Sequence, residues 1–283
     1  MQSIGVLGAG IMGAGIAQVA AQGGYNVLLR DLQHSLIQNG LNTIETNLDL
    51  LIEDKKIDPI EKSTILSRIK GTTDLSALSG VDLVIEAVVE NLTVKKQLFA
   101  ELDSICAKET ILATNTSSLS ITEIAAATQR SDRVLGMHFF NPVQEIDLVE
   151  LVKGFETSDA SISKVKRFLE NINKEYITVK IDSPGFIVNR VLLIFINEAI
   201  SVYGEDVASA EDIDRAMKLG AGMTIGPLEL ADKLGLDNLY GLLSVFYNEF
   251  KDVKYRPHNI FTSMVRAGYW GRKTEKGFYK YED

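Results

Sequence analysis

Along the first half of the chain, apolar residues gather in short runs separated by amphipathic stretches. The runs Ser3–Leu7, Asn26–Arg30, Val81–Ala87, Thr110–Thr114, Val134–Phe139, Leu148–Lys153 and Tyr176–Ile181 read as strands. Most are continuous rather than alternating, the pattern of parallel strands covered on both faces. Between them, apolar residues at helical spacing predict helices over about Met12–Gln22, His34–Glu53, Pro59–Ile69, Thr93–Ala107 and Ser161–Asn173. Strand–helix alternation of this kind predicts a doubly wound α/β domain.

The period changes after Asp182-Ser183-Pro184-Gly185. Beyond that point no run reads as a strand. Ile187, Val191, Ile194, Phe195 and Ala199 form a helical stripe within Phe186–Tyr203. Ser209–Leu219 opens with a capping serine and acidic residues in its first turn. Pro227 restarts a helix at a position where proline is tolerated, and Leu236–Phe250 and His258–Ala267 follow. The chain therefore divides, on this reading, into an α/β domain over residues 1–183 and an all-helical C-terminal domain over 184–283.

Composition narrows the class. Of 283 residues, 46% are hydrophobic and 24% charged, ordinary for a globular protein of one large or two ordinary domains. No apolar run approaches the roughly 20 residues of a membrane helix. The first strand begins at once, with no basic leader before it, which predicts no signal or transit peptide. The single cysteine, Cys106, excludes an internal disulfide and a cysteine-rich metal site, and suits a reducing cytoplasm. No metal site is expected. A net charge of −9 opposes nucleic acid and anionic membranes as partners.

The chemistry begins at Gly8-Ala-Gly10-Ile11-Met12-Gly13, directly after a strand and at the start of a helix. Gly8 permits a tight turn, Gly10 lets backbone approach a pyrophosphate, and Gly13 lets helix and strand pack closely. The helix N-terminus adds unpaired N–H groups and a positive dipole end. About twenty residues on, Asp31 ends the second strand, placed to accept from ribose hydroxyls and to repel a 2′-phosphate. The domain is thus read as Rossmann-like and dinucleotide-binding, with NAD favoured over NADP; Arg30 beside Asp31 pulls the other way.

Three more polar segments follow strands, on the edge where such sheets bind ligands: Glu86 and Glu90, Asn115-Thr-Ser-Ser118, and His138. Ser120 or Thr122 suits a helix cap before Glu123. Of three histidines, His34 lies on a polar helix start and His258 at another. His138 alone sits between two apolar strands, with Glu150 in the second of them. Imidazole titrates near neutral pH, and a carboxylate on its far nitrogen fixes the tautomer. Together these features suggest an oxidation that moves a hydride to the nucleotide and a proton to His138.

With these residues in view, the chain resembles the 3-hydroxyacyl-CoA dehydrogenases, most closely the short-chain bacterial 3-hydroxybutyryl-CoA dehydrogenases. The motifs that carry the resemblance are Asp82–Glu90, Asn115-Thr-Ser-Ser-Leu119, Met137–Pro142, Leu148-Val-Glu150, Pro184–Arg190, Gly226-Pro-Leu-Glu-Leu230 and Lys276-Gly-Phe-Tyr279. The resemblance implies that His138 is the catalytic histidine and Glu150 its partner. It implies that Ser117 and Asn189 hold the substrate's 3-oxygen and carbonyl region. Glu90, Lys95, Asn115, Asn141 and Lys273 would contact NAD beside Gly8, Gly10, Ile11, Met12, Gly13 and Asp31. Ser117 belongs to that set too. Relatives carry several lysines near Asn47 that can meet coenzyme A phosphates; here Lys55 and Lys56 remain, beside Asp49, Glu53, Asp54 and Asp58. Where relatives often read Asn-Pro-x-Pro, this chain has Gln144 in place of the second proline. The implied partners are an acyl-CoA thioester and a second copy bound through the helical domain, with the active site in the cleft between domains. The span Leu228–Phe246 is leucine-rich enough to serve either as that dimer surface or as internal core. Other readings are a dehydrogenase of a different 3-hydroxy acid or thioester, and a non-catalytic NAD-binding sensor.

Overall fold

The computed structural model describes residues 1–281. The chain forms two compact units, Met1–Ser183 and Pro184–Asp283.

The first unit holds one eight-stranded sheet: β1 (Ser3–Leu7), β2 (Asn26–Arg30), β3 (Ile69–Thr72), β4 (Leu83–Glu86), β5 (Ile111–Thr114), β6 (Val134–Phe139), β7 (Leu148–Lys153) and β8 (Glu175–Val179). Their spatial order is β3-β2-β1-β4-β5-β6-β7-β8. The chain winds outward from β1 in both directions, so the order reverses between β1 and β4. Crevices at such switch points, outside the carboxyl ends of the strands, are where these sheets bind ligands.

Helices α1 (Ile11–Gln22), α2 (His34–Glu53), α3 (Pro59–Ser67), α4 (Leu92–Ile105), α5 (Ile121–Ala125) and α6 (Asp159–Asn171) cover the sheet. Ile4, Val6, Leu83, Ile85, Ala113 and Met137 join Ile16, Ile44, Leu48, Val165 and Phe168 in one core cluster. Val84, Leu112 and Val134, of the opposite parity, are buried as well, as continuous apolar strands require.

Two features depart from expectation. The sequence predicts no strand at β3; only its first residue, Ile69, falls in an expected element, the end of the helix Pro59–Ile69. β3 is a short edge strand with a single buried residue, Ile69, so it lacks the apolar run that marks its neighbours. It pairs parallel with β2, and Gly71 makes room for Ile37 of α2, whose side chain lies 2.3 Å from where a Cβ would stand. Second, β7 runs antiparallel to β6. The connection Phe140–Asp147 is too short for the dozen or more residues of a parallel crossover, so the chain must turn back.

The second unit is built from α7 (Val188–Gly204), α8 (Ala210–Ala221), α9 (Pro227–Leu234), α10 (Leu236–Phe250) and α11 (Asn259–Arg266). Ser209 caps α8 by accepting from the Asp212 amide, and His258 caps α11 through Nδ1 to the Ile260 amide; caps of this kind contribute about 1 kcal/mol each. Leu228, Leu236, Leu239, Leu243 and Phe246 lie in the internal core of this unit, while Leu234 and Val245 are exposed. Much of the leucine-rich span is therefore core rather than free surface. The last segment, Gly271–Tyr281, is pinned by Asp232. This buried carboxylate accepts the amides of Phe278 and Tyr279 and the Tyr281 hydroxyl. A side chain on Gly277 would collide with it at 1.9 Å.

Candidate active site

The glycine loop is shaped by contacts that only glycine allows. Gly8 stands at φ 92°, and a Cβ there would meet the Ala87 carbonyl oxygen at 2.5 Å. A Cβ on Gly13 would lie 1.7 Å from the Gly8 carbonyl. At Gly10 no atom stands within 4 Å of the Cβ position. Gly10 is also the N-cap of α1 and has no side chain to satisfy the first-turn amides, and no acidic residue lies in that turn. Open space, uncapped amides and a positive dipole end make a cradle for an anion. Asp31 closes the loop from the β2 side: Oδ2 accepts the Ala9 amide at 2.7 Å and Oδ1 the Leu32 amide at 2.6 Å. Arg30 turns its Nε to the Thr73 carbonyl at 3.3 Å. The cradle thus has the donors a pyrophosphate needs and a carboxylate suited to ribose hydroxyls, so these residues fit NAD.

Beside it, at the ends of β4 and β5, lies a buried ionic network. Glu86 and Lys95 are both wholly buried and meet at 2.6 Å. Glu86 also accepts the Val88 amide and the Thr114 hydroxyl, each at 2.7 Å. Lys95 reaches Glu90 at 3.5 Å. Glu90 accepts the Ser117 amide at 3.1 Å and the Thr116 hydroxyl. Glu90, Lys95 and Ser117 are therefore brought together, but Lys95 spends its ammonium on two carboxylates. Asn115 accepts the Phe139 amide through Oδ1 at 3.0 Å, tying the end of β5 to the end of β6.

His138 and Glu150 are register partners across the antiparallel β6–β7 pair. Opposed residues of such a pair project from the same face. Their side chains meet at 2.7 Å, His138 Nδ1 to Glu150 Oε2, with His138 7% exposed and Glu150 fully buried. A carboxylate oxygen accepts, so Nδ1 is the donor in this bond. The Phe140 ring packs on the imidazole, centroids 4.4 Å apart. Asp147, exposed before the start of β7, lies 3.8 Å from Lys174 and away from the pair.

The remaining predicted residues are placed as follows. Asn141 is exposed and joined to Pro142 by a cis peptide bond. Gln144 donates to Gln18 of α1 at 2.9 Å. Lys55 is exposed just after α2, and Lys56 pairs with Asp54 at 2.9 Å. In the second unit, Asn189 is half-buried in the first turn of α7. Lys273 pairs with Asp237 and lies over the Trp270 ring. Among the described residues no group of His, Cys, Asp or Glu is arranged to hold a metal ion.

The sequence marks Glu86 and Thr116 only as members of polar segments on the sheet's ligand-binding edge, and gives Thr114 no role. The available signal was a glutamate ending an apolar strand: a carboxylate buried there demands a buried cation, and Lys95 lies on the helix that follows.

The comparisons agree along the whole chain. Residues 3–182 match the family model "3-hydroxyacyl-CoA dehydrogenase, NAD binding domain", and 185–281 match "3-hydroxyacyl-CoA dehydrogenase, C-terminal domain". The chain is 47% identical over 278 residues to a 3-hydroxybutyryl-CoA dehydrogenase of Clostridioides difficile, covering 98% of this chain and 99% of that one. It is 45% identical over 281 residues to a 3-hydroxybutyryl-CoA dehydrogenase of Bradyrhizobium diazoefficiens, covering 99% of this chain and 96% of the other. The crystal structure of (S)-3-hydroxybutyryl-CoA dehydrogenase PaaH1 from Ralstonia eutropha superposes with a TM-score of 0.97 at 47% identity, all of both chains covered. A glycine cradle with its aspartate, a buried His–Glu pair and family matches over both units lead to one conclusion: the chain belongs to the 3-hydroxyacyl-CoA dehydrogenase family of NAD-dependent oxidoreductases.

Proposed function

We propose that the protein interconverts (3S)-3-hydroxybutyryl-CoA and acetoacetyl-CoA, or a similarly short 3-hydroxyacyl-CoA and its 3-oxo product. The observation that carries this reading is the buried His138–Glu150 pair, 2.7 Å apart, on a sheet whose first turn is a dinucleotide cradle. Bound NAD supplies the hydride acceptor. His138 takes the 3-hydroxyl proton on Nε2 as the C3–H hydride leaves and the C3–O bond becomes a carbonyl. Glu150 keeps the proton on Nδ1 and stabilises the imidazolium. In reduction the same imidazolium returns the proton. Ser117 and Asn189 are assigned to the substrate's 3-oxygen and carbonyl region, and Glu90, Lys95, Asn115, Asn141 and Lys273 to the dinucleotide. The names of the similar proteins support the substrate. Loss of NADH absorbance with acetoacetyl-CoA tests it; no turnover across short acyl-CoA lengths would overturn it.

A second reading, a free 3-hydroxy acid or another thioester as substrate, draws on one observation. Near the expected coenzyme A lysines, Lys56 is paired with Asp54, and Lys62 with Asp49 and Glu45. The ratio of kcat/KM with and without the coenzyme A moiety decides between the two. We further propose a homodimer through the helices after Gly226, using apolar positions exposed there, Leu234 and Val245 among them. Twofold dimers are the commonest closed assemblies. The cytoplasm is the proposed compartment, in keeping with one free, buried cysteine.

A further inference from the structure

Glu86 closes β4 in register with Leu7 of β1 on one side and Thr114 of β5 on the other. Both of its carboxylate oxygens and its backbone carbonyl are engaged. Oε1 takes the Val88 amide and the Lys95 ammonium, Oε2 the Thr114 hydroxyl, and its backbone carbonyl the Asn115 amide at 2.6 Å. Lys95 passes the contact on to Glu90, and Glu90 to the Ser117 amide and the Thr116 hydroxyl. Thr116 Oγ1 in turn accepts the amides of Ser118 and Leu119 at 3.3 and 3.0 Å. A series of polar contacts therefore runs from Glu86 to the loop that presents Ser117: charge-assisted hydrogen bonds at each end, joined by the Lys95–Glu90 ion pair at 3.5 Å. The hydrogen bonds at the ends are shorter than neutral ones and directional.

Stability does not explain this construction. Buried ion pairs can often be exchanged for apolar residues with no loss, because desolvation offsets their attraction. A fully buried pair at the switch point of the sheet, wired to a loop, does something an apolar pair cannot: it fixes a direction.

We propose that Glu86 is a positioning residue for the reaction. Acting through Lys95 and Glu90, it holds the Asn115–Leu119 loop so that the Ser117 hydroxyl meets the substrate in one orientation. The inference rests on the reading of Ser117 as a substrate contact.

A double-mutant cycle on kcat tests it, using Glu86→Gln and Ser117→Ala in the full-length enzyme with NADH and acetoacetyl-CoA. Glutamine keeps the size and one acceptor but removes the charge that holds Lys95. In the wild-type background Glu86→Gln lowers kcat by up to about a hundredfold, the scale of an ångström-sized misplacement, with KM for NADH little changed. In the Ser117→Ala background the same change costs no more than about twofold, the additivity limit of such cycles. An equal loss in both backgrounds overturns the inference and leaves the reading of Ser117 standing. Wild-type kcat in Ser117→Ala alone overturns that reading and the inference with it. Should Glu86→Gln not fold, Glu90→Gln, on a side chain 38% exposed, completes the same cycle read on kcat alone, since Glu90 is itself assigned to the dinucleotide.

Discussion

Glu150 Oε2 lies 2.7 Å from His138 Nδ1 because the two residues are direct partners across β6 and β7. The antiparallel turn-back after Phe139 is what makes them so. A parallel β7 would have carried Glu150 away on the far side of a crossover. The pair is also buried, which strengthens the bond by lowering the local dielectric.

Replacing His138 with Gln removes the proton acceptor and leaves the nucleotide cradle untouched. The kcat is expected to fall about 10²–10⁴-fold, the usual contribution of general acid–base catalysis, while NADH still binds by fluorescence titration. Glu150→Gln is expected to fall on the same scale, since an amide can donate to Nδ1 and reverse the tautomer. Near-normal kcat in His138→Gln would sink the assignment.

Asp31 holds the Ala9 amide of the glycine loop and is the carboxylate proposed to meet the ribose hydroxyls. The enzyme is therefore expected to show a higher kcat/KM with NADH than with NADPH. Asp31→Ser should narrow that ratio and also raise KM for NADH, because the glycine loop loses its tether. Wild-type preference for NADPH would show that Arg30 governs the choice.

Lys95→Met leaves Glu86 buried without its cation. Breaking one partner of such a pair costs about 3–5 kcal/mol. Chemical denaturation should show a loss of that order; a change under about 1 kcal/mol would mean that the pair is solvated or neutral.

Burial, with the charge of Asp232 and the hydrogen bond to it, pushes the Tyr281 phenol up to about 12 from an ordinary 10.0. A pKa raised on folding means that the neutral phenol is the favoured folded form. Its contribution to stability is complete below pH 10.0 and is lost as pH rises through about 12. The tyrosinate absorbance missing from Tyr281→Phe should accordingly appear near pH 12 in the wild-type titration; a missing band centred at 10.0 would refute the contact.

Light scattering at micromolar concentration is expected to give the mass of two chains. A monomeric mass with full activity would leave Leu234 and Val245 as ordinary surface residues.

The sequence by itself determined the elements whose signal is local. β1, β2, β6 and β7 fall on the apolar runs that predicted them, and α2 and α10 on their helical stripes. Ser209, Ser120 and His258 cap the helices they precede, because a cap needs only its own next few residues. The glycine spacing and Asp31 were legible for the same reason: the turn, the cradle and the carboxylate that closes it all lie within one βαβ unit. What only the tertiary structure decided is what depends on neighbours distant in sequence. β3 is a strand because β2 offers it a free edge, not because Ile69–Thr72 has a strand's composition. The reversal of β7 is decided by the fold, since an apolar run does not encode its direction. Lys95 is expected from the resemblance to contact the dinucleotide, and nothing local in the sequence announces that it is buried between Glu86 and Glu90. The leucines of α10 are mostly core because α9 and α11 pack on that helix. Burial and pairing are properties of the whole packed chain, so a residue type states which partners it needs, and only the fold states where they are.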